Sequence, residues 1–151
     1  MRASKKSLLY ATASFAIALQ AHAQKPYTIL PQREAQNVTR LCSRIGLAKI
    51  DGSWLPTDTD IKTVESRLAL LSQPTDGEEL VKTPTDYFRQ YVGVVVSGRK
   101  LIYLNAIKTE SPMAGWQTRF VNICDGGDYF WGVIYDPATG KFSELHKNGV
   151  P

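Results

Sequence analysis

The chain has 151 residues, with 18 Lys and Arg against 14 Asp and Glu, a formal net charge of +4 and two Cys. Arg2, Lys5 and Lys6 supply most of the positive excess, and the remainder is near neutral with no Lys/Arg cluster. That balance excludes nucleic-acid binding, which needs a basic patch to neutralise phosphates, and it excludes adhesion to an acidic membrane.

The first element is a targeting segment. A basic head, Met1 to Lys6, precedes an apolar run from Leu8 to Leu19, which ends at Ala21-His22-Ala23. The run is too short to span a membrane, which takes ~20 apolar residues. Basic head, short apolar middle and a small-x-small end are the parts of a secretory signal peptide, placed at residues 1–23. No Cys near the cleavage site offers a lipid attachment, so no membrane anchor is expected. The mature chain, 24–151, is then periplasmic or secreted, and a length of about 128 residues makes it a single domain.

In an oxidising compartment a lone pair of Cys usually bonds, so a Cys42–Cys124 disulfide is expected. Closing so long a loop contributes about 4 kcal/mol by chain entropy. The alternatives are two buried thiols or a catalytic thiol. A catalytic thiol needs a neighbouring His, and His146 is the only one left after cleavage.

Gln24 to Pro31 reads as an extended lead-in. From Gln32 to Ile45 the apolar positions Ala35, Val38, Leu41, Cys42 and Ile45 follow helical spacing, with Gly46 as a stop. Lys49 to Leu55 is a connector with an Asp51-Gly52 turn. A second helix starts at Thr57, whose side chain can cap the first turn with Asp60 reaching back. Ile61, Val64, Leu68 and Leu71 fall on one face of it, and Pro74 stops it. Gln73 to Asp86 is a loop. Tyr91 to Val96 and Lys100 to Ile107 are strands joined by a tight Ser97-Gly98-Arg99 turn. Gln117 to Cys124, Tyr129 to Tyr135 and Lys141 to Leu145 complete the set. The expected fold class is α+β: two N-terminal helices packed on one side of a five-stranded antiparallel meander.

Alternation along the strands sorts side chains into faces. One alignment gives an aliphatic face to take the helices. The other face carries Tyr91, Tyr103, Asn105, Asn122, Tyr129, Trp131 and Tyr135. Tyr and Trp are enriched at interfaces, so that face is either a binding surface or one covered by loop 73–86, the N-terminal segment or a second subunit.

No pattern points to catalysis, a metal or a cofactor. Asp125-Gly126-Gly127-Asp128 offers two carboxylates where Ca²⁺ wants 6–8 oxygens, and reads as a glycine turn. Ser97-Gly98 lacks the G-x-S-x-G elbow. Asp58 and Asp60 serve a helix start, and Glu78-Glu79 lie in a loop. Tyr135-Asp136-Pro137-Ala138-Thr139-Gly140 fits Y-x-x-x-T-G and resembles a motif of periplasmic invertebrate-type lysozyme inhibitors, which are small, exported and β-rich. The resemblance covers six residues and implies a loop that plugs a glycosidase cleft. The family's companion S-G-x-x-Y has no counterpart, because the Tyr after Ser97-Gly98 stands at 103. Residues 121–149 also resemble small exported bacterial domains without an assigned role.

The reading is therefore an exported, non-enzymatic protein that binds another macromolecule of the envelope, as an inhibitor or immunity protein. Its contacts would come from Tyr91, Tyr103, Tyr129, Trp131, Tyr135 and Thr139. The competing readings are a small-ligand carrier or enzyme using the aromatic face as a pocket, and a self-associating structural protein with that face as a homodimer interface.

Overall fold

The computed structural model describes residues 26–73 and 81–150. The signal-peptide expectation, residues 1–23, and the Glu78-Glu79 pair lie outside the described residues.

The backbone forms one mixed sheet of six strands: β1 (Tyr27–Ile29), β2 (Gly52–Trp54), β3 (Phe88–Val96), β4 (Arg99–Ile107), β5 (Phe130–Asp136) and β6 (Lys141–Lys147). β3 to β6 run antiparallel in chain order, while β1 and β2 share the outer edge of β3. β1 is parallel to it, with Tyr27 opposite Arg89, and β2 antiparallel, with Gly52 opposite Val95. One α-helix occurs among the described residues, α1 (Asp58–Glu65). It begins as the sequence suggests: the Asp60 N–H donates to Thr57 Oγ1 at 3.2 Å and the Thr57 N–H to the Asp60 carboxylate at 2.7 Å. Ser97 and Gly98, both at positive φ, make the two-residue β3–β4 turn that suits the twist of paired strands.

The expected two-helix, five-stranded antiparallel meander is overturned at three places. First, 117–124 is not a strand, and β4 pairs directly with β5. Side chains take the place of a strand partner there. Gln90 Nε2 donates to the carbonyls of Trp116 and Arg119, and Gln90 Oε1 accepts from the Val121 N–H at 2.9 Å. Asn105 Nδ2 donates to the Val121 carbonyl, and Asn148 Nδ2 to those of Ile123 and Asp125.

Second, 32–45 is not an α-helix but a 3-10 helix over Gln32–Thr39. Asn37 donates to the Glu34 carbonyl and Thr39 to that of Gln36, the local side-chain competition that disfavours a regular helix. The chain then turns back, with the Leu47 N–H on the Val38 carbonyl at 3.0 Å. Third, the lead-in and the connector each supply a strand, β1 and β2. Three residues are too few to display a period of two. Gly93 admits β2, since a Cβ there would lie 2.3 Å from the Trp54 carbonyl oxygen.

Two apolar layers form, one on each face of the sheet. Ile61 and Val64 of α1, with Leu68 and Leu71 of the 3-10 turn that follows, pack on Tyr91, Ile102, Leu104, Trp131, Val133 and Tyr135. Leu30, Ala35, Val38 and Ile50 cover Val92, Val94, Tyr103 and Ile134 on the other side. Each buried Leu, Ile or Val among them contributes roughly 1.5–3 kcal/mol on burial. The register corrects the expected sorting of faces: Tyr91 stands opposite Leu104 and Val92 opposite Tyr103. Aromatic and aliphatic residues therefore mix on both faces.

Cys42 and Cys124 are disulfide-bonded, with Cα atoms 5.0 Å apart. The bond ties the irregular segment after the first 3-10 helix to the irregular segment before β5. Cys124 lies outside any strand, so strand parity does not govern its direction.

Candidate functional site

The residues singled out from the sequence do not assemble into one surface. Tyr91, Tyr103, Trp131 and Tyr135 are all buried, on two different faces. The Tyr91 hydroxyl donates to Glu65 Oε1 at 2.5 Å, beside the bidentate Arg89–Glu65 pair. Burial first, then the Glu65 carboxylate, push its pKa well above the ordinary tyrosine value. Tyr103 accepts from Arg44 Nε at 3.1 Å. Burial raises its pKa, and the Arg44 guanidinium pulls the other way. Gly132 is what lets these two meet: a Cβ there would lie 2.0 Å from the Tyr103 hydroxyl oxygen. Asn122 donates to the Arg40 carbonyl. Tyr129 and Thr139 alone of the six candidates are exposed. They lie at opposite ends of β5, about 20 Å apart by the rise of a seven-residue strand.

At the far end is the β5–β6 turn. Asp136 organises it. Its Oδ1 accepts from the Ala138 N–H at 2.9 Å, its carbonyl from the Gly140 N–H at 2.8 Å, and its carboxylate pairs with Arg99. Arg67 Nη1 donates to the Gly140 carbonyl at 3.1 Å, anchoring the turn to the end of α1. Gly140 has φ +69, a conformation that favours glycine. Desolvation pushes the Asp136 carboxyl up. The Ala138 N–H, the Arg99 guanidinium and the Thr139 hydroxyl outweigh it and hold the group below the ordinary aspartate value. Pro137, Ala138 and Thr139 are left exposed on this clamped frame.

At the near end a cleft of about 520 Å³ opens, lined by residues 81–83, Tyr87, Lys108, Asp128, Tyr129, Trp131 and Lys147. Tyr87 and Trp131 meet edge to face at 5.4 Å. The Tyr87 hydroxyl donates to the Asp128 carbonyl at 2.8 Å. Burial raises its pKa, and the nearby Trp131 indole N–H opposes that. Trp131 Nε1 itself is buried with no hydrogen-bond partner among the described residues. Lys108 sits over the Tyr87 ring at 5.5 Å, and Lys147 pairs with Asp128 at 3.0 Å. Gly126 and Gly127, both at positive φ, make the turn that brings Asp128 and Tyr129 to the rim.

Sequence reasoning missed Tyr87, Lys108 and Lys147 because they come from three separated segments, and it missed Arg44 as a buried cation. A signal that could have found Arg44 was the polar pair Gln90 and Asn105 in apolar surroundings, of which only Asn105 was singled out and Gln90 fell before the expected strand. No group of His, Cys, Asp and Glu that could hold a metal ion occurs among the described residues, and no helix among them is long and apolar enough to cross a membrane. Searches of family models, of curated proteins and of solved structures each returned no match.

Proposed function

We propose that this is an exported, non-enzymatic binding protein that captures another macromolecule of the cell envelope through the tip of the β5–β6 hairpin. The observation that carries this reading is the clamped turn: Arg99, Arg67 and the Asp136 carboxylate hold the backbone on which Pro137, Ala138 and Thr139 stand exposed. A turn already fixed in its bound form loses little entropy on docking. The disulfide between Cys42 and Cys124 suits an oxidising compartment. The resemblance of residues 135–140 to the lysozyme-inhibitor motif names a first partner class, a glycosidase whose substrate cleft the turn enters.

The direct test adds the exported protein to an invertebrate-type lysozyme and follows cell-wall hydrolysis. Activity falls to completion at one equivalent, and Thr139→Arg abolishes the effect while leaving the fold intact. Undiminished hydrolysis rejects the lysozyme as partner. Equal inhibition by the Thr139→Arg protein rejects the turn as the contact.

A further inference from the structure

Independently of the hairpin, we infer that the cleft at the Tyr129 end of β5 binds a small carboxylate carried on a flat apolar body, with Trp131, Lys108 and Lys147 as its polar contacts.

Three features of the cleft point the same way. The first is chemical demand. Trp131 is fully buried, and its indole N–H, a donor only, has no acceptor. A buried donor without a partner costs about 1–3 kcal/mol, and native structures rarely keep one without a ligand, ion or water to satisfy it. The other two tryptophans do not share this: the Trp54 indole donates to the Leu101 carbonyl at 2.9 Å, and Trp116 is not among the buried unpaired donors.

The second is charge. Among the described residues, three lysines, Lys82, Lys108 and Lys147, line the cleft against one aspartate, Asp128, which Lys147 already engages. Lys108 faces the Tyr87 ring rather than a carboxylate. Asp86 also acts on Tyr87 from its own turn, and a cationic excess remains among the described residues.

The third is shape. Tyr87, Tyr129 and Trp131 give flat apolar walls, and Tyr129 is 59% exposed while its ring stands at the rim. A volume of about 520 Å³ falls within the range of small-molecule sites, roughly 300–1,000 Å³. Single lysines acting as point charges, without an arginine fork among the described lining residues, suit a singly charged carboxylate. Lysine also binds phosphate as a point charge, but neither the bidentate guanidinium nor the helix terminus that gives phosphate sites their geometry is among the described lining residues.

The test uses phenylacetate as the probe, titrated into the ¹⁵N-labelled exported chain, with the three tryptophan indole N–H resonances as the readout. The Trp131 resonance is expected to move and saturate, while that of Trp54 stays in place. Phenylacetamide, the neutral analogue, should bind about tenfold more weakly, equivalent to ~1.4 kcal/mol. Lys108→Gln, an exposed change that spares the core, should weaken phenylacetate by about the same factor. Lys100→Gln, near Trp54, should leave it unchanged. The inference is overturned if the Trp131 resonance fails to saturate. It is equally overturned if the amide binds as well as the acid, or if Lys108→Gln leaves the affinity unaltered.

Discussion

Gln90 and Asn105 stand directly opposite each other on β3 and β4, and Asn105 Nδ2 donates to Gln90 Oε1 at 2.9 Å. This pair is the inner half of a buried polar network. Asn105 Oδ1 accepts from Arg44, whose other guanidinium nitrogens reach Tyr103 and Asn148 Oδ1. Arg44 is only 9% exposed and is solvated by neutral oxygens alone among the described residues. The network holds 116–125 against the sheet without making it a strand.

Asn105→Leu is therefore expected to destabilise well beyond the ~1 kcal/mol of an ordinary hydrogen bond. It leaves the Val121 carbonyl without its Asn105 donor, takes one of two donors from Gln90 Oε1, which keeps the Val121 N–H, and removes one acceptor from a buried cation, which sums to about 3 kcal/mol. Urea denaturation measures it. A loss below about 0.5 kcal/mol would show that water can replace the amide.

Replacing both Cys42 and Cys124 by Ser removes the link between the segments that frame this network. Stability should fall by about 3–4 kcal/mol, the entropy of the closed loop, without loss of the β3–β6 meander. Denaturation of the double variant beside the wild type checks the first part. The amide resonances of β3 and β4 check the second.

The pH dependence has two sides. The Asp136 pKa is lowered in the fold, so its contribution is present above the unfolded aspartate value and is lost as pH falls below about 4. The Tyr91 pKa is raised well above 10.0, so the folded state holds a proton that the unfolded chain gives up. Its contribution is full below pH 10 and is lost as pH rises beyond that. The thermal midpoint should decline on both sides, with Arg99→Gln reducing the acid decline and Tyr91→Phe the alkaline one. Unchanged acid and alkaline limbs in those variants would contradict the assignment.

What could be read from the sequence follows length and locality. The Thr57–Asp60 capping box, the Ser97-Gly98 turn and the α1 stripe of Ile61 and Val64 each rest on residues within a few positions of one another, and each forms. The segment 117–124 has strand composition but lies across Gln90, Asn105 and Asn148, partners scattered from 90 to 148 that no local pattern reveals. The Tyr91–Leu104 register moved the aromatics inward for the same reason: a slip of one residue exchanges faces. Of the candidate surface, Thr139 was legible because a Pro-containing turn followed by Gly is local. The Lys108, Trp131 and Lys147 cleft was not, because it exists only once β4, β5 and β6 are paired.

Contact with a macromolecular partner through the exposed turn of the β5–β6 hairpin, as proposed above, can be tested at Thr139. The measurement immobilises the protein without residues 1–23 and its Thr139→Arg variant, and compares what each retains from an envelope extract by quantitative mass spectrometry. Thr139 is exposed and the change costs its hydroxyl's bond to Asp136 while Arg99, Ala138 and Arg67 still hold the turn, so the fold should persist, which circular dichroism checks. One species should be held at stoichiometric level by the native turn and lost from the variant. Retention of the same species by both proteins, or of none by either, would contradict it.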